Sequence, residues 1–234
     1  MSNKVSIITV VLNDKIGLEK TIHSVLEQTF KDYEHVVIDG KSTDGTLDVI
    51  RLYKENISKT LSEQDMGVYD AMNRGIKLST AEWLIFLNAG DVFYSKTSLE
   101  SAGALIENNI DVIYSDAYYR GSRNFLFKCD SSKMRVVHQS VLYRKSLHDI
   151  NPGYLVGNGV TISDYIFFNS IKDASWRKCN DIIACCDGSG LSSHTKHFHQ
   201  KMCVDLLFGR RNKYSVLIIL LLHPIYWKLK RLFS

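Results

Sequence analysis

The feature that most constrains this chain is a repeating unit: a short apolar run, a polar cluster rich in Asp, Asn and Gly, then apolar residues at helical spacing. Val5–Leu12, His35–Asp39, Ile57–Ser62, Trp83–Asn88 and Asp111–Ser115 are the apolar runs. Between them Leu18, Ile22, Val25 and Leu26 recur at helical intervals, as do Leu47, Ile50 and Leu52, and later Leu99, Leu105 and Ile106. Such alternation builds βαβ units, and a run as apolar as Trp83-Leu84-Ile85-Phe86-Leu87 belongs in a sheet covered on both faces. The expected fold is α/β, with a mostly parallel central sheet flanked by helices.

In sheets of this kind ligands bind beyond the carboxyl ends of the strands. Polar clusters stand there in this chain: Asn13 and Asp14, then Asp39-Gly40-Lys41-Ser42-Thr43-Asp44-Gly45, then Glu63-Gln64-Asp65, then Asn88-Ala89-Gly90-Asp91. A single cluster would be ordinary turn and cap chemistry. Four on one rim point to a binding site. The second half is less regular, with strand-and-turn structure expected over Tyr114–Phe127, a strand over Val137–Tyr143 and a helix over Ser163–Ile171 capped by Ser163.

A chain of 234 residues suits one large domain. A formal net charge of +4 is too small and too dispersed for a nucleic-acid partner, so none is expected. Five cysteines without CxxC pairs fit neither a zinc site nor a closed disulfide framework, which points to a reducing cytosol. The opening apolar run is followed by no cleavage signature and reads as a strand rather than a signal peptide. His194, His197, His199 and Cys203 have spacings that suggest zinc, but a loop closing the domain is the simpler account.

Asp39, at the end of a second strand, is where a dinucleotide fold would hold a ribose. The turn after the first strand, Leu12-Asn13-Asp14-Lys15-Ile16-Gly17, lacks the G-x-G-x-x-G that brings a pyrophosphate to the backbone, and no G-x-x-x-x-G-K-[ST] occurs. A bound nucleotide would be held through its base and ribose, with a metal on its phosphates.

Four segments then fall in order: Thr9-Val10-Val11-Leu12-Asn13; Asp39-Gly40-Lys41-Ser42-Thr43-Asp44-Gly45-Thr46; Asp65-Met66-Gly67-Val68-Tyr69-Asp70-Ala71-Met72-Asn73-Arg74-Gly75-Ile76; and Phe86-Leu87-Asn88-Ala89-Gly90-Asp91. Together they resemble the motifs of glycosyltransferase family 2, and most closely its bacterial branch that builds O-antigens, capsules and exopolysaccharides such as colanic acid. The resemblance is dense over residues 4–116 and looser over 137–192. It implies a GT-A fold over residues 1–209, with a nucleotide-binding half at 1–116 and an acceptor half at 117–209.

The same resemblance implies site residues. Thr9, Val11, Asn13 and Asp39 would hold the nucleotide base and ribose, while Asp44 serves as a cap or a ligand. Asp70 and Asn73, three apart on one helix, would face the donor together with Asn88. Asp91, the one carboxylate left of a D-x-D-type motif, would hold Mn²⁺ or Mg²⁺ on the diphosphate. Asp164, in Thr161-Ile162-Ser163-Asp164-Tyr165-Ile166-Phe167, stands where the branch places its general base, with a helix-end carboxylate as its structural alternative. His138 and Gln139 would line the acceptor pocket, or His138 would be a satisfied core histidine.

The implied reaction moves a hexose or N-acetylhexosamine from a nucleoside-diphosphate sugar, most simply UDP-linked, to a glycan or a polyprenyl-diphosphate-linked glycan, with inversion. A nucleotidyltransferase on a related α/β core and a non-catalytic carbohydrate-binding protein are the rival readings. The tail departs from the rest: Arg210-Arg211-Asn212-Lys213 precede seven consecutive apolar residues, Val216–Leu222, and Tyr226, Trp227 and further basic residues follow. That run is far short of the roughly 20 residues that span a bilayer. An amphipathic helix from about Tyr214, with Leu217, Leu220, Leu221 and Ile225 buried in the interface of a membrane, would make the protein peripheral at the inner face of the cytoplasmic membrane. Packing of this helix on the domain or on a second subunit is the alternative.

Overall fold

In this computed structural model the described residues are 4–121, 124–151, 153–187 and 195–221. The chain runs β1 (Val5–Val11), α1 (Lys15–Leu26), β2 (Tyr33–Asp39), α2 (Thr46–Leu52), β3 (Lys59–Ser62), α3 (Val68–Leu78), β4 (Trp83–Phe86) and β5 (Val92–Phe93). It continues through α4 (Ser98–Gly103), β6 (Val112–Tyr114), β7 (Ala117–Arg120), β8 (Phe125–Phe127), β9 (Val141–Arg144), α5 (Leu147–Ile150), α6 (Ser163–Ser170), β10 (Trp176–Lys178), β11 (Ala184–Asp187) and α7 (Thr195–Leu207).

The central sheet has the order β10-β6-β9-β4-β1-β2-β3. β1 pairs in parallel with β2 and β4, β2 with β3, and β6 with β10, while β9 alone runs against its neighbours β4 and β6. The sheet is therefore mostly parallel, as its continuous apolar strands require. One face packs on α3 through Ile8, Val10, Val36, Ile38, Met72 and Phe86. The other face meets α1 and α2 around Leu18, Ile22, Val37 and Val49. Gly75 lets α3 lie directly on β1, because a Cβ there would come 2.4 Å from Ile8 Cγ2. A smaller sheet, β5-β11-β7-β8, stands beside the carboxyl edge of the first.

Three boundaries differ from the sequence reading. The expected strand over Val137–Tyr143 begins instead as a 3-10 turn, His138–Ser140, before β9. Helix α4 ends at Gly103, so Leu105 and Ile106 follow it rather than belong to it. Ser163 is the first residue of α6 and not its cap; Ile162 holds the cap position, and the Ser163 hydroxyl is buried without a partner. The residues Gly188–His194 and those beyond Leu221, including Tyr226 and Trp227, lie outside the described residues.

Candidate active site

Because β1, β2, β3 and β4 run in parallel, their carboxyl ends share one edge, where Val11 lies in register with Asp39 and Asp39 with Ser62. The loops beyond β1 and β2 are locked together there. Asn13, in the left-handed region at φ 51°, donates its N–H to Ser42 Oγ at 2.7 Å and accepts from the Thr43 N–H at 2.7 Å. Asp39 is fully buried and accepts from the Ser42 N–H at 3.1 Å and from Ser62 Oγ at 2.6 Å. Asp44 takes the N–H groups of Lys15 and Thr46, each at 3.0 Å, so its expected capping role spans the starts of α1 and α2. Its hydrogen bonds to Thr46 and Lys15 hold its carboxyl below the ordinary range.

Thr9 and Val11 reach this edge only through the main chain. Thr9 is buried, and its hydroxyl is 3.0 Å from His35 Nε2 inside the domain. Val11 is also buried, and its carbonyl accepts from the Gly40 N–H at 2.9 Å.

The expected donor-facing pair on α3 is divided between two loops. Asp70 accepts from Arg74 at 2.9 Å and from the Met66 N–H at 3.0 Å, and so restrains the loop before the helix. Asn73 clamps the main chain of Tyr154, donating to its carbonyl at 2.8 Å and accepting from its N–H at 2.6 Å. Its amide is turned to the 153–154 loop.

A second cluster forms around Asp164. Tyr69 on α3 donates to one carboxylate oxygen at 2.8 Å, and His138 Nδ1 lies 3.2 Å from the other. His138 Nε2 in turn lies 3.4 Å from Asn88 Nδ2. Burial pushes the Asp164 carboxyl up, but the hydrogen bond and charge of His138 and the Tyr69 hydroxyl outweigh it, leaving the group below its ordinary range. Tyr69 is pushed far above its own range by burial and by the Asp164 charge, so it remains a donor. Asp164 is thus turned to two side chains rather than serving only the end of α6.

Asp91, the expected metal ligand, is held by two protein donors. It is 4% exposed, and its two oxygens accept from Gln139 Nε2 and from the Asp187 N–H on β11, each at 2.8 Å. Burial raises its carboxyl above the ordinary range. The adjacent position that looks outward is Gly90, at φ 93°, where a Cβ would lie 3.5 Å from Asp187 Oδ2 and 3.8 Å from Asp14 Oδ2. Among the described residues no group of three His, Cys, Asp or Glu side chains could hold a metal ion. Each Asp91 oxygen already accepts one hydrogen bond, so a hard divalent cation would have to share these oxygens with Gln139 and the Asp187 N–H.

Gln139 and His138 are neighbours on one turn, and each grips an acid, Asp91 and Asp164 respectively. Three participants carry no distinctive sequence signal. Tyr69 lies within a motif yet gains its role only from the approach of α6. Thr21 on α1 donates to the Asp91 carbonyl at 2.7 Å and accepts from the Gly90 N–H at 3.1 Å, holding the loop beyond β4. Asp187 enters from β11, nearly a hundred residues away in sequence.

A mostly parallel sheet with interlocked polar loops at one edge, facing a carboxylate held by tyrosine and histidine, is a GT-A architecture. The fold superposes with TM-score 0.72 on Staphylococcus aureus TarS in complex with UDP-GlcNAc, at 19% identity over 88% of this chain and 65% of that one. It superposes with TM-score 0.63 on the mannosyltransferase PcManGT from Pyrobaculum calidifontis in complex with GDP-Man and Mn²⁺, at 15% identity over 87% of this chain and 61% of that one. Residues 6–159 match the family described as Glycosyl transferase family 2, and the chain belongs to that family. It is 39% identical over 153 residues to a PGL/p-HBAD biosynthesis glycosyltransferase of Mycobacterium bovis, covering 61% of this chain and 59% of that protein. It is 32% identical over 154 residues to the poly(ribitol-phosphate) beta-N-acetylglucosaminyltransferase TarP of S. aureus, covering 62% of this chain and 47% of that protein. The chain therefore spans less than two thirds of the length of these relatives.

Proposed function

We propose that the protein is an inverting glycosyltransferase that moves a hexose or N-acetylhexosamine from a nucleoside-diphosphate sugar, in the first instance a UDP-sugar, to a glycan or lipid-linked glycan. The observation that carries this reading is the Asp164 cluster, tied through His138 to Asn88 at the edge where Asn13 and Asp39 lie. Residues 1–116 hold the donor and residues 117–209 the acceptor. Asn13 and Asp39 shape the pocket for base and ribose, the main chain of Thr9 and Val11 lines its floor, and Asp70 and Asn73 set the loops around it.

A sugar hydroxyl is a poor nucleophile at neutral pH and must lose its proton as it attacks. Asp164, kept ionised, accepts that proton as the new bond forms at the anomeric carbon and the nucleoside diphosphate departs with the old bonding pair. No enzyme-bound intermediate is required. Mn²⁺ or Mg²⁺ is what the family resemblance leads one to expect on the diphosphate. Asp91 would hold it by sharing oxygens that already accept from Gln139 and Asp187, whereas the proton transfer rests on Asp164.

The names of the relatives, which concern PGL and poly(ribitol-phosphate) glycosylation, support a place in the synthesis of bacterial surface glycans, and O-antigen or exopolysaccharide synthesis is the context we favour. An acceptor on a polyprenyl diphosphate would place the protein at the cytoplasmic face of the membrane, bound through its C-terminal residues.

Incubation with a panel of nucleotide sugars, read as release of the nucleoside diphosphate, identifies the donor. Asp164→Asn should then retain donor binding and lose roughly 10²-fold or more in turnover. Normal transfer by this variant removes Asp164 as the base. Donor binding with no turnover by the wild-type chain on any donor and acceptor tried favours a binding protein.

A further inference from the structure

His138 was expected to line the acceptor pocket, yet both its ring nitrogens face protein groups. Nε2 lies 3.4 Å from Asn88 Nδ2, and an amide nitrogen can only donate. A carboxylate can only accept, so the ring nitrogen that faces Asp164, Nδ1, carries a proton, and in this orientation of the amide Nε2 presents its lone pair. The Nδ1–H points at Asp164 Oδ2, 3.2 Å away. The Asn88 amide oxygen is buried with no partner, so rotating the amide by half a turn would offer it to a protonated Nε2. The pair can thus accommodate either charge state of the ring.

The turn that carries His138 is rigidly mounted. The Ser115 N–H donates to the Ser140 carbonyl at 3.0 Å, and the following strand β9 is inserted between β4 and β6. The titratable groups acting on the pair come from every neighbouring element. Asp91, beyond β4, acts on His138; Tyr69 on α3, Tyr119 on β7, Tyr154 before α6 and Lys201 on α7 surround Asp164. None of these brings a second carboxylate into hydrogen-bond contact with Asp164. His138 and Tyr69 hold its two oxygens from different elements, and the Tyr165 N–H also hydrogen-bonds the carboxylate.

We propose that His138 is a positioning residue for transfer: its Nδ1–H holds the Asp164 carboxylate aimed, and that carboxylate in turn selects the ring tautomer. This rests on the reading of Asp164 as the base.

Two measurements test it. The first is ¹⁵N-resolved NMR of the histidine rings in the full chain at pH 8, which needs no substrate. The Nδ1–H tautomer is expected at His138 in the wild type and should be lost in Asp164→Asn; an Nε2–H tautomer in the wild type overturns the proposal. The second is the pH profile of turnover on the nucleotide sugar the donor panel identifies. His138→Phe should lower kcat by roughly 10-fold to 100-fold with donor KM within about twofold. Its acid limb should move to higher pH, because a carboxylate without its donor is more easily protonated.

His138→Asn, whose amide can still donate from a similar position, should restore most of kcat and the wild-type limb. A change confined to acceptor KM makes His138 a pocket-lining residue. A His138→Asn variant as inactive as His138→Phe makes the imidazole itself the base, and both results overturn the proposal. If His138→Phe does not fold, the limb of His138→Asn decides alone. Normal transfer by Asp164→Asn would bring down the underlying reading. An inactive Asp164→Asn alongside a His138→Phe that titrates as wild type would bring down only this inference.

Discussion

Asp91 is committed to two protein donors before any ligand arrives, and this decides what its substitution should do. One oxygen takes the Gln139 amide and the other the Asp187 N–H, so the side chain ties the loop beyond β4 to the turn before β9 and to β11. In Asp91→Asn the new NH₂ must face one of those donors. A buried donor left without its acceptor costs about 1–3 kcal/mol. Thermal unfolding should show that loss, and the metal response of any turnover should be the same as in the wild type. An unchanged unfolding temperature together with a changed metal response would restore Asp91 as a ligand. The residue types at this edge were legible in the sequence, because parallel strands put their polar followers on one rim. Their partners were not. Thr9 turns to His35, and Asn73 turns to Tyr154, through contacts between elements that no local spacing reveals.

The strands are joined at the end of the sheet opposite the site by Glu34, the second residue of β2. It accepts from Ser6 Oγ on β1 at 2.6 Å, from Lys59 Nζ on β3 at 2.8 Å, and from the N–H groups of Thr80 and Ala81 ahead of β4. Burial pushes its carboxyl up, but these donors outweigh burial and hold it at about 2, against an ordinary 4.5. A depressed carboxyl stabilises the fold above its unfolded value and loses that contribution as pH falls through the folded one. The wild type should therefore lose up to about 3 kcal/mol between pH 4.5 and 2 on this account. Glu34→Gln should be the less stable protein at pH 7, and the difference should shrink toward pH 2 in denaturant titrations. A gap of equal size at both ends would show that charge at Glu34 does not hold the joint. Strands such as β1 and β4 were easy to read because both faces are buried and, apart from Ser6 and Thr9, apolar. The turn at His138–Ser140 was misread as strand because Val137, Val141 and Leu142 continue an apolar run through it, and only the sheet edge makes the chain bend there.

At the scale of the whole molecule, α7 is fastened to α6 by Tyr165 and Asp205 and to the loop before α6 by Thr161 and Gln200, whereas the helix over 213–221 that follows is mostly uncovered. Val216 is buried against the rest, but Tyr214, Leu217, Ile218 and Leu221, at helical spacing, are 67%, 56%, 55% and 65% exposed. Among the described residues no helix is long and apolar enough to cross a membrane. An apolar stripe led by Lys213, with Arg210 and Arg211 before it bonded to Asn169 and Asp205, has instead the make-up of an interfacial helix, whose rings and aliphatic chains enter the headgroup region while basic residues at its start meet anionic lipid. Each basic residue near such a surface contributes on the order of 1 kcal/mol, and the contribution fades as salt shortens the Debye length. The full chain should therefore sediment with vesicles containing phosphatidylglycerol, should do so less in high salt, and should bind phosphatidylcholine vesicles weakly. Removing residues 214–234 should abolish that binding while leaving the unfolding temperature of the domain little changed and its donor hydrolysis within about twofold of the full chain, because among the described residues of that stretch only Val216 is buried. Equal binding to both vesicle types would exclude an electrostatic anchor. A truncated chain that unfolds would make the stripe part of the core or of a subunit interface, where the exposed leucines would be covered by protein instead of lipid.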